Sequence, residues 1–183
     1  RILICSLNYL PELTGIGKFT GEMALWLSAR GHDVRVVSGP PYYPVWKIAD
    51  GFSGRRYRTE SSGGVQVVRC PLWVPRTPSG AKRVLHLLSF AASSSPVLFG
   101  SAIRWKPEVV WTVEPPLFCS PAVLASARIC GAASWLHVQD FEVDAAFELG
   151  LIPGAGFRAA AAWAERTLLR QFDRVSTISG RMI

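Results

Sequence analysis

The sequence predicts an α/β fold: a doubly wound (Rossmann-like), mostly parallel sheet of about six or seven strands with helices on both faces. Short β-branched runs alternate with longer helix-compatible stretches along the 183 residues, which is typical of a parallel sheet covered by helices. The strand runs are apolar at consecutive positions, which indicates burial on both faces. With 49% hydrophobic residues, the chain can bury the core of one domain spanning residues 1–183.

Six runs have the composition of strands, because each is short and rich in Val, Ile, Leu, Trp or Thr. In chain order they are RILICSL (1–7), DVRVVS (33–38), VQVVRC (65–70), EVVWTV (108–113), ASWLHV (133–138) and RVSTIS (174–179). The stretches between them that suit helices are 17–30, 80–104, 120–130 and 156–171. The link from the second strand to the third contains SGPPYYPVWKIADGFSG, whose prolines and glycines predict an irregular excursion.

The stretch 84–103 carries no formal charge and has basic residues on both sides, Lys82 and Arg83 before it and Arg104 and Lys106 after it. Its length permits a membrane span. Its serines, Pro96 and Gly100 favour a core helix of the α/β layers instead. A third alternative stays open, a helix with basic ends that rests on an anionic bilayer without crossing it.

The charge balance favours an anionic partner. Twenty Lys and Arg stand against thirteen Asp and Glu, a formal net charge of +7, which suits phosphate groups, nucleic acid or an acidic membrane face. GRRYR at 54–58 is the only dense basic cluster, and a solvated loop explains it. No arginine-rich run interleaved with exposed aromatics marks a nucleic-acid surface, so we expect no nucleic-acid partner.

The cysteines indicate neither a zinc site nor a disulfide framework, since no C-x-x-C pair occurs among Cys5, Cys70, Cys119 and Cys130. We expect buried thiols in a reducing cytoplasm. The apolar stretch before Pro11 is too short for a secretory signal. The chain starts directly on one strand and stops just after another, so we expect it to be a piece of a longer protein.

Ligands of such sheets bind beyond the carboxyl ends of the strands, where the strand order reverses. After the first strand, Gly15, Gly17 and Gly21 surround the opening of the first helix. Backbone N–H groups and the positive helix end there suit phosphate or a polarised hydroxyl. The spacing is G-x-G-x-x-x-G, and SGPP replaces an acid after the second strand, which disfavours a dinucleotide site. A purely structural glycine loop remains open.

The segment WLHVQDFEVDAA (135–146) ends the fifth strand and places polar residues beyond it, His137, Gln139, Asp140, Glu142 and Asp144. Histidine can donate a hydrogen bond to a hydroxyl or move a proton, and a neighbouring carboxylate can fix its tautomer. The alternative is a core histidine, with the acids capping the next helix.

Glu114 ends the fourth strand in a similar position, on a loop stiffened by Pro115 and Pro116. His32 lies in a turn at the opposite edge of the sheet, and we assign it no chemistry.

Four segments together resemble the amino-terminal half of a glycosyltransferase family 4 enzyme, and are most similar to the colanic-acid biosynthesis glycosyltransferase group. They are NYLPELTGIGKFTGEMALWLSARGHDVRVVSGPPYYP, RWKPEVVWTVEPPLFCSP, WLHVQDFEVDAAFELGL and DRVSTISGRM. The resemblance covers nearly the whole chain in the expected order, which makes it more specific than any single motif.

The resemblance implies one half of a GT-B enzyme, two Rossmann-like domains facing across a cleft. Such enzymes transfer a sugar from a nucleotide-diphosphate donor with retention of configuration and without a metal or other cofactor, and the group likeness implies a GDP-sugar here. The amino-terminal domain shapes the acceptor site. The basic surface suits a lipid-linked acceptor, which implies a cytoplasmic protein peripheral to the inner membrane face.

The resemblance also implies roles for individual residues. His137 contacts the transferred sugar and Asp140 orients hydroxyl groups, and these two are the predicted catalytic residues. The loop with Gly15, Ile16 and Gly17 approaches the donor phosphate and the acceptor. Glu114, Gln139 and Glu142 complete the predicted binding residues.

The family's carboxyl-terminal domain, which binds the nucleotide sugar, has no counterpart in these 183 residues, so we expect the isolated chain to be inactive. A stand-alone nucleotide- or phosphate-binding regulatory module remains the alternative. A nicotinamide-dependent sugar-modifying enzyme is disfavoured by the glycine spacing.

Overall fold

The protein is described by a computed structural model over residues 1–139 and 155–178, with side chains from residue 162 onwards in the second range. The seven strands are β1 Ile2–Cys5, β2 Val34–Ser38, β3 Arg58–Ser62, β4 Val65–Arg69, β5 Val109–Glu114, β6 Ala133–Val138 and β7 Arg174–Thr177. The helices are α1 Gly15–Ala29, α2 Gly80–Arg104, α3 Ser120–Cys130 and α4 Ala155–Leu169, with a short 3₁₀ turn at Leu117–Cys119.

The strands form one sheet in the order β3-β4-β2-β1-β5-β6-β7. Every neighbouring pair is parallel except β3 with β4. From β1 the chain moves to β2 on one side and later to β5 on the other, so the order reverses between β1 and β5. This sheet confirms the predicted mostly parallel α/β fold.

The antiparallel edge strand β3 escaped the sequence analysis, which found six strands. Its residues, RTESS, are almost all exposed, so it lacks the apolar pattern of the other strands. Gly63 and Gly64 connect it to β4 with φ of 58° and 78°, and Ser62 pairs with Val65 across them. Two consecutive positive φ values define the tight hairpin that glycine pairs favour.

Helices cover the two faces unequally among the described residues. On one face α1 packs over an apolar cluster that includes Ile4, Val36 and Val113. The larger cluster on the other face contains Leu3, residues of α2 and α3, and Leu168 at the end of α4. The alternation of Leu3 and Ile4 between the clusters is the alternation of a strand buried on both sides.

The excursion after β2 is irregular, as its prolines predict, and consists of turns with no helix. Cys5, Cys70 and Cys119 are buried and Cys130 is partly buried, all with free thiols. α2 is the one helix of the described residues that is long and apolar enough to cross a membrane. One side of α2 belongs to the core, where Phe90 and Leu98 are fully buried.

Candidate functional site

The register of the parallel strands places the predicted site segments at one edge of the sheet. Cys5 at the end of β1 pairs with Thr112 of β5, and β5 continues to Glu114, which pairs with Val138 of β6. The loop after β1 and the residues after β6 therefore leave the sheet at the same carboxyl edge, with the strand-order reversal between β1 and β5. His32 precedes β2 and lies at the opposite edge.

Glu12 fixes the loop after β1 through three hydrogen bonds. Its Oε1 accepts from the backbone N–H groups of Tyr42 at 2.8 Å and Tyr43 at 2.9 Å. Its Oε2 accepts from the side-chain amide of Asn8 at 2.7 Å. The residue is only 5% exposed, so Glu12 ties the first loop to the loop after β2.

The glycines at the start of α1 differ in their surroundings. A Cβ on Gly17 would lie 2.8 Å from Cβ and 2.9 Å from Oε2 of Glu12, so Gly17 leaves room for Glu12. Gly15 is exposed with φ of 54° and has nothing within 4 Å of its Cβ position, and Ile16 packs partly against the core. Of these three, Gly15 offers open space to a ligand.

Arg69, the last residue of β4, also fixes the loop after β1. Its guanidinium donates to the carbonyl oxygens of Leu10 and Gly39 and, through Nε, to Oε1 of Glu60 at 2.8 Å. Its side chain is 4% exposed. A buried cation with a carboxylate and two carbonyl partners meets the usual requirement for buried charge, and it holds the two loops side by side.

His137 is hydrogen-bonded by Ser176 of the adjacent strand. The Ser176 Oγ lies 2.9 Å from Nδ1 of His137 and accepts from Nε1 of Trp135 at 2.9 Å. The indole can only donate, so the Ser176 hydrogen is available for His137 Nδ1. When Ser176 donates to Nδ1, the imidazole proton is on Nε2, where it is an N–H donor for a ligand oxygen.

The His137 ring lies on the sheet face of α1, 5.8 Å from the Trp111 ring centroid and tilted by 33°. It is partly buried, and this desolvation lowers its pKa below the ordinary value. The imidazole is therefore neutral near pH 7, and it can donate or accept a hydrogen bond without carrying charge.

Glu114 and Gln139 also reach the carboxyl edge. Glu114 pairs with Val138, so its side chain lies on the face opposite His137, and it is fully buried. The backbone N–H of Gln139 donates to the Glu114 carbonyl at 3.1 Å and extends the pairing by one residue. The role of Glu114 as a binding residue stays a prediction.

Asp140, Glu142 and Asp144, which the sequence analysis placed beside His137, lie outside the described residues. Within the ranges 1–139 and 155–178, no group of three or more His, Cys, Asp or Glu side chains could hold a metal ion.

An open cleft of about 450 Å³ lies beside the first loop. Pro11 to Thr14 form one wall, and the turns from Pro41 to Asp50 form the other. Because Glu12 and Arg69 fix these two loops, the cleft has anchored walls. It opens at the carboxyl edge, where a ligand of this architecture is expected.

Glu12, Arg69 and Ser176 are the residues of this site that the sequence analysis missed. Two of the three partners of Glu12 are backbone N–H groups thirty and thirty-one positions away, and no local sequence pattern predicts them. A charged residue ending the apolar strand VQVVRC was the available signal for Arg69, because such a position requires a buried partner.

Comparison with known proteins gives two matches. Residues 14–183 match the family described as glycosyl transferase 4-like domain. The chain is 50% identical over 186 aligned residues to a protein of Escherichia coli (strain K12) named "Putative colanic acid biosynthesis glycosyl transferase WcaI". That alignment covers 100% of this chain and 45% of the relative, so the chain spans less than half the relative's length.

Proposed function

The chain belongs to the glycosyl transferase 4-like family, and from this membership we propose that it forms the acceptor-side half of a retaining, metal-independent glycosyltransferase. The donor is a nucleotide-diphosphate sugar. The acceptor is a glycan or a lipid-linked saccharide of surface or exopolysaccharide synthesis. The relative's name, which refers to colanic acid biosynthesis, supports this class of product.

One observation carries the proposal: the loop after β1 and His137 both lie at the carboxyl edge of the sheet, on either side of the strand-order reversal between β1 and β5. A sugar between them would contact the open backbone at Gly15 and the imidazole of His137. Two independent segments can therefore hold a single ligand at the location that this architecture uses.

His137 supplies a neutral hydrogen-bond donor in this proposal. Ser176 holds Nδ1, so the Nε2 proton points away from that contact and can bind a hydroxyl of the transferred sugar. The lowered pKa keeps the ring uncharged at physiological pH, so the bond positions the sugar without adding a cation near the reacting carbon. Asp140 and Glu142 are proposed to bind further hydroxyl groups.

The 450 Å³ cleft is the proposed acceptor site. Its walls combine apolar surface from Leu13 and Val45 with the exposed ring of Tyr43 and the ammonium group of Lys47. Saccharides pack on aromatic rings through their C–H faces, and a lysine suits a phosphate of a lipid-linked acceptor. These features suit an anionic saccharide.

Donor binding is assigned to the portion of the full-length protein beyond this chain. A GDP-sugar is the proposed donor within the nucleotide-sugar class. Because most contacts with the nucleotide would lie there, we expect the 183 residues alone to bind the donor weakly and to catalyse no transfer.

The test is a transfer assay of the full-length protein with a panel of nucleotide sugars and a lipid-linked acceptor. His137→Ala is expected to lower kcat by about a hundredfold or more while substrate binding persists. His32→Ala, at the opposite edge, is the matched control and should leave transfer unchanged. Equal activity of the wild type and His137→Ala would refute the role of His137, and nucleotide binding without any transfer would favour the regulatory module.

A further inference from the structure

The side of α2 that faces away from the core is apolar, although the exposed side of a solvated helix is ordinarily charged. Six exposed residues recur at intervals of three, four or seven positions and share one side of the helix. They are Ala81, Leu85, Leu88, Ala92, Pro96 and Ile103, and we call them the outer stripe. It is about 33 Å long, and α2 contains no Asp or Glu. A surface helix normally turns a polar face to water, so the outer stripe indicates a different environment.

The opposite side of α2 is part of the protein core. Phe90 and Leu98 are fully buried, while Leu85 is 56% and Ile103 is 61% exposed. Only 28% of the most apolar stretch of α2 is buried. A helix that crossed a bilayer would lose the core contacts of Phe90 and Leu98. A helix that keeps them can still lie along an interface with its outer side in an apolar medium.

Basic and aromatic residues border the outer stripe along one flank. The Tyr57 hydroxyl donates to the Ser93 carbonyl at 2.9 Å, which brings Arg55 and Arg56 of the GRRYR loop beside the middle of α2. The Trp73 backbone N–H donates to the Ser89 hydroxyl at 3.1 Å, and the Trp73 side chain is half exposed.

The ends of the stripe are basic as well. Lys82 lies in the first turn, and Arg104 ends the helix. Lys106 follows it at an exposed position. The apolar surface is thus framed by cations on one flank and at both ends.

We propose that the outer stripe and its basic border dock the protein in the plane of an anionic lipid bilayer. The bilayer supplies hydrocarbon for Leu85 and Leu88 and negative headgroups for Arg55, Arg56 and Lys82. Tryptophan and tyrosine at the border suit the headgroup level. A second copy of the chain would bring the same cations together across the contact, and repulsion disfavours it.

The docked orientation has a consequence that rests on the proposed function. Ten residues separate the end of β4 from the start of α2, and the ring of Trp46, in the loop after β2, lies 5.2 Å from the ring of His86 in α2. The start of the outer stripe therefore lies at the end of α2 nearest the loop that forms one wall of the cleft. A lipid-linked acceptor anchored in the same bilayer would then present its saccharide to that cleft.

The test is sedimentation of the full-length protein with vesicles, with no nucleotide sugar present, so its outcome is independent of transfer. We expect binding to vesicles of equal parts phosphatidylglycerol and phosphatidylcholine, and much weaker binding to pure phosphatidylcholine. Leu85→Glu and Leu88→Glu should each lower binding about tenfold. Arg55→Glu should lower it about fivefold and make it less sensitive to salt.

Met23→Glu is the matched control, because α1 also exposes apolar residues, on the other face of the sheet, but carries Glu22 among them. Met23→Glu should leave vesicle binding unchanged. All variants change exposed side chains, so thermal unfolding should match the wild type. The proposal is overturned if the wild type ignores anionic vesicles, or if Met23→Glu weakens binding as much as Leu88→Glu. It is also overturned if Leu88→Glu converts a dimer to a monomer and vesicle binding persists.

Discussion

Replacing Glu12 by alanine removes the acceptor that joins the two loops of the candidate site. The buried Tyr42 N–H loses the Glu12 carboxylate as its hydrogen-bond acceptor, at a cost of about 1–3 kcal/mol. The donors from Tyr43 and Asn8 are partly buried and can recover water, so each adds about 0.5 kcal/mol. We expect the free energy of unfolding to fall by about 2–4 kcal/mol in total.

Urea denaturation of Glu12→Ala beside Glu12→Gln measures this loss. The glutamine keeps an oxygen in the Oε1 position for both tyrosine N–H groups, so it should lose about 1 kcal/mol or less. Sugar transfer by the full-length protein should fall more in Glu12→Ala than in Glu12→Gln, because the cleft wall between Pro11 and Thr14 loses its anchor in the alanine variant. Alanine and wild-type proteins that unfold at the same urea concentration would refute this account of the loop.

Three further predictions concern other residues. Gly17→Ala should displace the Glu12 side chain, so a double mutant with Glu12→Ala should be less destabilised than the sum of the two single mutants, as measured by urea denaturation. Ser176→Ala should release His137 Nδ1 and lower kcat by about tenfold with KM unchanged; a change in KM alone would speak against a positioning role. Burial lowers the pKa of His86, so the unfolded chain binds its proton first and stability should fall as pH drops below ~6.5; melting temperatures of His86→Gln should depend less on pH, with the remaining slope due in part to His137.

The parallel part of the fold could be predicted from the sequence because each buried strand is a continuous apolar run. The edge strand β3 has one solvated side and little apolar content, so its sequence resembles a loop. Its signal was the Gly63–Gly64 pair between two short segments, which favours a hairpin. An exposed edge strand therefore cannot be recognised from its amino-acid composition alone, because it has no buried apolar side chains.

The candidate site was predicted in outline because strand ends at one edge are a consequence of topology. The sequence located His137 and Gly15 there, while Ser176 is brought to His137 only by the pairing of β6 with β7. Glu114 lies on the face opposite His137 because side chains alternate along β5. The long-range contacts of Glu12 depend on how two irregular loops fold together, which no local pattern specifies.

The stretch 84–103 stayed ambiguous in sequence because apolar residues occur on both sides of the helix. The structure resolves one side as core, through Phe90 and Leu98. The exposure of Leu85 and Leu88 on the other side follows from the same helix period, but only the packed fold shows which side faces the sheet.

We propose that the loop after β1 and the end of β6 both contact the transferred sugar. Photo-crosslinking of the full-length protein with a nucleotide sugar that carries a diazirine on the sugar, followed by mass spectrometry of the peptides, tests it most directly. We expect labels in the peptides that contain residues 6–17 and 135–139. Labelling that leaves both segments untouched, or that falls around His32 at the opposite edge, would contradict it.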